Sequence, residues 1–199
     1  MKNAWALIFF FLSACFCSCN DQEHVQQPSE VLAEAPVAFF PVTDFIYGQI
    51  NEIENLPITL LKVHSDGIKK DSAWLKKGEF ATFALPFLRP EIDSSSMAAY
   101  FTGKSFLDQT INAFTFSYDA KENLPDSINL AHWDVYIDPQ KNRVQRVYMV
   151  KEDSIDRKPI IMQLTWKVGS WCSIRTITEG TTKQPVIKEE KVQWNFDEE

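Results

Sequence analysis

Apolar side chains near the start of the folded part recur at helical spacing. Ile46, Ile50 and Ile53 follow one another at intervals of four and three residues. This spacing places them on one face of a helix, which would be buried against a core. Pro57 comes next, and the helix is expected to end before it because proline has no backbone N–H to donate.

Two more helical segments are predicted before the pattern changes. Residues 80–88 carry a second apolar stripe, and Pro86 inside it predicts a kink or an early end. After a run of three serines, a short helix is expected to carry Met97 and Phe101. Gly103 is expected to end this helix, because glycine takes the left-handed closing conformation without strain.

Later segments alternate apolar and polar residues, the period of a strand with one buried face. Before them, Asp66-Gly67 separates two extended runs and predicts a hairpin. The alternating segments, joined by short turns, are residues 111–118, 130–137, 144–150, 160–168, 171–177 and a last strand through Val192, Trp194 and Phe196. The prediction is an α+β fold, with N-terminal short helices and a hairpin packed on an antiparallel meander sheet of about five or six strands.

Two predicted turns determine which aromatic side chains share a face of the sheet. A loop over residues 139–142 places Trp133 opposite Tyr148. A two-residue turn at residues 169–170 places Trp166 and Trp171 on a common face. The four rings have two interpretations: a core beneath the helices, which we favour, or an aromatic ligand-binding pocket formed by Trp133, Tyr148, Trp166 and Trp171.

The N-terminus has the layout of a secretory signal peptide: Lys2, then an apolar run over residues 4–12, then small residues. The quartet Leu12-Ser13-Ala14-Cys15 resembles the lipobox of bacterial lipoproteins. The resemblance implies cleavage before Cys15 and attachment of acyl chains such as palmitate to it. It also implies a protein of the bacterial cell envelope, lipid-anchored to a membrane on its periplasmic or surface side. Cys19 is the alternative, because cleavage there leaves a polar mature end and removes the other two thiols.

This assignment divides the chain into three parts. They are a lipoprotein signal peptide of residues 1–14 (alternatively 1–18), a flexible polar tether of residues 15–38 and a single α+β domain of residues 39–199. The uncharged run over residues 4–20 is too short for a membrane-spanning helix, which needs about 20 predominantly apolar residues. Lipid is therefore the expected membrane contact.

Charge and cysteine usage narrow the classes of function. The formal net charge is −7 and the sequence shows no basic stripe. No nucleic-acid partner is expected, because an acidic surface repels phosphate backbones. Cys172 is the one cysteine outside the N-terminal region, so no disulfide framework is expected. Its apolar neighbours predict a buried thiol that acts as a small hydrophobe.

The candidate chemistry is sparse. His132 and Asp134 fall on one strand face, where they would form a base and its orienting acid, or a satisfied polar contact, which we favour. No catalytic residue, metal ligand or cofactor is predicted, and an enzymatic role is not favoured. We expect a binding or structural module of the envelope, in contact with the membrane through its lipid anchor and with an envelope protein or a small ligand. The alternative is a protein that binds a small apolar ligand or a glycan in an aromatic pocket on a curved sheet.

Overall fold

The computed structural model describes residues 39–76, 78–93, 97–180 and 184–197. The predicted signal peptide and tether, including both candidate lipidation sites Cys15 and Cys19, lie outside the described residues. The buried apolar side chains of the described part form one core cluster, which draws on the helices and on strands throughout the sheet.

The helices of the described part lie in its N-terminal half, before residue 101. Helix α1 spans Val42–Asn55 and buries Ile46, Ile50 and Ile53, which confirms the predicted stripe. Helix α2 spans Glu79–Ala84 and continues into a 3₁₀-helix, Leu85–Leu88. Pro86 lies in the first turn of the 3₁₀-helix, so the α-helix ends early, as predicted. No helix in the described ranges is long and apolar enough to cross a membrane.

The sheet is larger than predicted. It has nine antiparallel strands rather than five or six, in the order β2-β1-β9-β8-β7-β6-β5-β4-β3. The strands are β1 Leu60–Ser65, β2 Lys70–Leu75, β3 Phe101–Asp108, β4 Ala113–Ala120, β5 Leu130–Asp138, β6 Arg143–Ile155, β7 Lys158–Lys167, β8 Trp171–Glu179 and β9 Pro185–Gln193. The predicted hairpin, β1 with β2, exists, but it does not pack on the sheet. It extends the sheet, because β1 pairs with β9 along residues such as Val63 and Lys191.

Two predicted element boundaries are wrong. Phe101 and Gly103 belong to strand β3 and not to a helix, since β3 pairs with β4 from Phe101–Ala120 onwards. As an edge strand, β3 exposes most of its side chains, so it lacks the alternation that would have identified it. Strand β9 ends at Gln193, and the backbone N–H of Trp194 donates instead to the Ser170 carbonyl, at 3.0 Å.

The two faces of the sheet differ. The helices cover one face, which we call the helix face, where the Trp166 ring lies 6.0 Å from the Phe80 ring and 5.3 Å from the Phe87 ring. Side chains that alternate with the core residues lie on the opposite face, which we call the polar face. Across the strand register this face carries Thr115, Ser117, Asp119, His132, Asp134, Tyr136, Arg146, Tyr148, Thr165, Ser173, Arg175 and Lys191.

A β-bulge overturns the predicted contact between Trp133 and Tyr148. The register shifts between Tyr136 and Ile137, so Tyr148 lies opposite Asp134 and Trp133 lies opposite Met149. One extra residue on β6 turns every following side chain to the other face. Tyr148 therefore lies on the polar face, whereas Trp133 lies in the core.

A longer turn overturns the prediction that Trp166 and Trp171 share a face of the sheet. Lys167 pairs with Trp171, so the turn contains three residues, 168–170, rather than two. Gly169 at its centre has a φ of +76°, a conformation that suits glycine. As a result, Trp166 is in the core and Trp171 is on the polar face.

Candidate functional site

The four aromatic residues of the predicted pocket do not come together. Trp133 and Trp166 are fully buried on the helix face, whereas Tyr148 and Trp171 are half-buried on the polar face. Trp133 stacks on Tyr118 with their ring centroids 4.5 Å apart. Among the described residues, the indole nitrogens of Trp133 and Trp166 have no hydrogen-bond partner. Packing, the interpretation we favoured, accounts for Trp133 and Trp166, but not for the two rings on the polar face.

A different pocket lies between α1 and the ends of strands β6 and β7. Its volume is about 510 Å³, within the range of about 300–1,000 Å³ typical of small-molecule sites. We call it the α1 pocket. Its lining is mostly apolar and consists of Phe45, Gln49, Glu52, Ile53, Leu56, Arg143, Val144, Val168, Gly169 and Trp194.

Local sequence explains each wall of the α1 pocket. On α1, Phe45, Gln49 and Glu52 follow one another at helical spacing, so they form one stripe along the pocket. The opposite wall comes from the start of β6 and the end of β7, which a backbone hydrogen bond holds together. Val168 N–H donates to the Gln145 carbonyl at 3.0 Å, beside the start of β6.

Trp194 joins the pocket lining to the core. Its ring packs 5.7 Å from the Phe80 ring and 5.8 Å from the Trp166 ring. These contacts attach the pocket wall to the core, so the wall is preformed rather than assembled by a ligand. The pocket is thus an apolar recess supported by the core.

A second hollow adjoins the α1 pocket. Its volume is about 310 Å³, and it shares Arg143, Val144 and Val168 with the pocket. Its other lining residues are polar: Asp138, Lys141, Gln145 and Lys167. Because the two hollows share part of their lining, we treat them as neighbours and call the second one the mouth hollow.

The acidic side chains around these two hollows have hydrogen-bond partners, whereas one basic side chain has no ion-pair partner among the described residues. The Asp138 carboxylate accepts the backbone N–H groups of Gln140 (2.8 Å) and Lys141 (3.0 Å). The hydrogen bonds from Lys141 and Gln140 lower the pKa of Asp138. Glu52 accepts a hydrogen bond from the Gln49 amide at 3.1 Å. Arg143, in contrast, has no ion-pair partner within the described part of the chain.

A polar cluster around His132 occupies the polar face. His132 Nδ1 lies 2.7 Å from an Asp119 carboxylate oxygen, and Nε2 lies 3.0 Å from Asp134. The Tyr136 hydroxyl donates to Asp134 at 2.9 Å. The Arg146 guanidinium lies over the Tyr136 ring, 4.2 Å from its centroid. The predicted pairing of His132 with Asp134 is therefore confirmed, and Asp119 joins it from β4.

The electrostatics of this cluster favour a charged histidine. The hydrogen bond to Asp134 raises the pKa of His132, against its burial, and Asp119 adds to the effect. Burial is the largest single effect on Asp134 and acts to raise its pKa. The hydrogen bonds from His132, Ser117 and Tyr136, together with the charge of His132, outweigh burial, so the pKa is lowered. Burial raises the pKa of Tyr136 to about 12, and the nearby Asp134 contributes. With a carboxylate at each ring nitrogen, His132 has no free lone pair with which to act as a base.

The Cys172 thiol and the possible metal-binding side chains are the other groups of the described residues with potential reactivity. Cys172 is fully buried, and burial raises its thiol pKa, so the nucleophilic thiolate is disfavoured. Within residues 39–197, apart from the undescribed positions, no three His, Cys, Asp or Glu side chains are grouped so that they would hold a metal ion.

Residues of the α1 pocket were missed at the sequence level. Phe45 precedes the predicted stripe of α1 by one position, and Trp194 was assigned to a strand. Both are apolar, which is a signal for burial but not for a cavity. Arg143 is one of many surface basic residues in the sequence, and only the fold places it beside Val144 and Val168 at the pocket.

Comparison with protein-family models, with curated proteins and with solved structures finds no match to this chain. No relative therefore assigns a role to the α1 pocket or to the His132 cluster.

Proposed function

We propose that this chain is a lipid-anchored protein of the bacterial cell envelope whose domain binds a small apolar ligand. The observation that carries the binding role is the α1 pocket, a recess of about 510 Å³ with mostly apolar walls. The quartet ending at Cys15 supports the anchor, with Cys19 as the alternative site. No catalytic step is included in the proposal, because neither His132 nor Cys172 is available as a nucleophile or base.

The walls of the pocket support binding of an apolar molecule. Burial of apolar ligand surface contributes roughly 25 cal/mol per Å². Phe45 and Trp194 supply two aromatic walls, and Ile53, Val144 and Val168 supply aliphatic ones. Since Trp194 is held by core rings, little energy is spent on ordering the site when a ligand enters.

Blocking the α1 pocket tests the proposal. Gln49→Trp places an indole at the pocket wall, and Tyr47→Trp places the same group on the exposed side of α1, where Tyr47 is 58% exposed. The probe is the neutral fluorophore N-phenyl-1-naphthylamine, titrated into the domain of residues 39–199. We expect saturable binding to the wild-type domain, at least about tenfold weaker in Gln49→Trp because the recess is filled.

Tyr47→Trp is the matched control and should bind the probe like the wild type. Equal binding by Gln49→Trp and the wild type would place the probe elsewhere and remove the case for the pocket. The absence of saturable binding to the wild-type domain would do the same.

A second candidate function, docking of an envelope protein, rests on an exposed aromatic pair. Trp74 on edge strand β2 is 62% exposed and Phe196 is 48% exposed, with their ring centroids 6.4 Å apart. An exposed aromatic pair at a sheet edge is typical of a contact surface. A partner purified with the anchored protein from its own membranes should be lost with Trp74→Ser. The same partner should be retained with Ile68→Ser, which alters a 91% exposed residue of the nearby turn. Retention by both variants would contradict this candidate.

A further inference from the structure

The chain is acidic overall, yet basic residues predominate where the α1 pocket meets the mouth hollow. The net charge of the whole chain is −7, but Lys141, Arg143 and Lys167 all line the mouth hollow. A local reversal of sign in an acidic protein attracts anions selectively, because the surrounding surface repels them.

The acidic groups nearby already have partners. Asp138 accepts two backbone N–H groups and lies 3.8 Å from Lys141 Nζ. Glu52, on the far wall, accepts the Gln49 amide. Among the described residues, no carboxylate lies within ion-pair distance of Arg143. Asp138 lies opposite Arg143 in the strand register, but the two charged groups are not within ion-pair distance, so the Arg143 guanidinium remains open to an external anion.

Arg143 also stands at the boundary between the apolar and polar parts. It lines both hollows together with Val144 and Val168. Its planar guanidinium presents a fork of donors that matches a carboxylate or phosphate in two parallel hydrogen bonds. An apolar chain in the α1 pocket would therefore bring an attached acidic group to the guanidinium.

We propose that the ligand is a single-chain amphiphile with an anionic head group, of the class of long-chain carboxylates. Its chain lies in the α1 pocket and its head group pairs with Arg143, with Lys141 and Lys167 close by. This inference rests on the proposed binding function and adds the chemistry of the ligand. It predicts discrimination by head-group charge, which a purely apolar recess would not give.

Photo-crosslinking of the full-length protein in nanodiscs of neutral phosphatidylcholine tests the inference. The probes are a palmitic acid analogue bearing a diazirine and an alkyne, and the matched alcohol, which has the same chain and no charge. Labelled peptides from Val42–Asn55 and from the start of β6 are quantified by mass spectrometry. We expect the acid to label these peptides in preference to the alcohol.

Arg143→Gln should lower that preference about fivefold, the size of a solvent-accessible ion pair. Arg157→Gln is the matched control, since it removes the same charge in the β6–β7 turn, roughly 40 Å along β6 from Arg143. It should leave the preference unchanged.

The outcomes separate the two proposals. Equal labelling by the acid and the alcohol, in wild type and Arg143→Gln alike, would overturn the anionic head group but leave apolar binding intact. Equal loss of preference in Arg157→Gln would also overturn it, since the effect would then be one of net charge. Failure of both probes to label the pocket peptides would overturn the apolar binding function itself.

Discussion

Lys151 is a lysine inside the core, only 4% exposed. Its ammonium donates hydrogen bonds to the carbonyl oxygens of Pro86 and Arg89, at the C-terminal end of the 3₁₀-helix. A cation suits this position, because the last carbonyls of a helix carry partial negative charge. Burial nevertheless lowers the pKa of Lys151 to about 8. The residue therefore joins β6 to the helices at some electrostatic cost.

The depressed pKa of Lys151 predicts a stability that rises with pH. In the unfolded chain the ordinary pKa of 10.5 keeps this lysine protonated, whereas the folded form loses its proton near pH 8. Between these two pKa values the unfolded state therefore binds more protons than the folded state. The free energy of unfolding should rise by about 2 kcal/mol from pH 8 to pH 10. Urea unfolding of the wild type and of Lys151→Met checks this, since the variant should lack the rise. A parallel rise in both proteins would contradict it.

His132 predicts the opposite dependence. Its folded pKa is raised above 6.5 by the hydrogen bonds to Asp134 and Asp119, so its stabilising contribution is complete below about pH 6.5 and is lost as the pH rises through the folded pKa. We expect His132→Gln to reduce the free energy of unfolding by about 1–3 kcal/mol at pH 6, and by less at pH 8. Denaturant unfolding at both pH values measures this, with the exposed His64→Gln as control. A cost independent of pH would count against the charged cluster.

At the level of elements, the spacing of apolar residues predicted whether most segments are helices or strands. It did not predict which residues of neighbouring strands lie opposite each other. The stripe of α1 was read correctly because Ile46, Ile50 and Ile53 are all buried. The β6 bulge left no signal, since one extra residue among alternating side chains looks like a continued strand. The bulge nevertheless places Tyr148 on the polar face, away from Trp133. This is one reason why the predicted aromatic pocket does not form.

Two glycines test the conformations assigned to a helix and a turn. Gly169 has a φ of +76°, and a Cβ there would meet no atom within 4 Å. Gly169→Ala should therefore cost about 1 kcal/mol through backbone strain alone. Gly48 lies within α1, also with nothing within 4 Å, so Gly48→Ala should stabilise by about 0.5–1 kcal/mol. Urea denaturation of both variants gives the comparison, and equal shifts of the same sign would contradict one of the two conformations.

For the whole molecule, the sequence predicted the α+β class but not the extent of the sheet. Pairing of β1 with β9 joins residues more than a hundred positions apart, such as Lys62 and Val192. No local pattern encodes a contact of this kind. The α1 pocket depends on the same long-range closure, because Trp194 follows β9 and Phe45 belongs to the first helix. A cavity is a property of the assembled fold, so its residues appear in the sequence only as ordinary apolar positions.

The proposed anchor makes the last prediction. If acyl chains are attached at the end of the quartet Leu12-Ser13-Ala14-Cys15, radiolabelled palmitate should enter the wild-type protein in its native cells. Cys15→Ala alone should abolish labelling if Cys15 is the acylated residue, and Cys19→Ala alone should abolish it if Cys19 is.

The double variant should be unlabelled and should leave the membrane fraction, because at least two acyl chains are needed for stable anchoring. Cys172→Ala is the control and should be labelled like the wild type, since this thiol is buried. Persistent labelling of the double variant would overturn the anchor, while the α1 pocket would remain to be tested on its own terms.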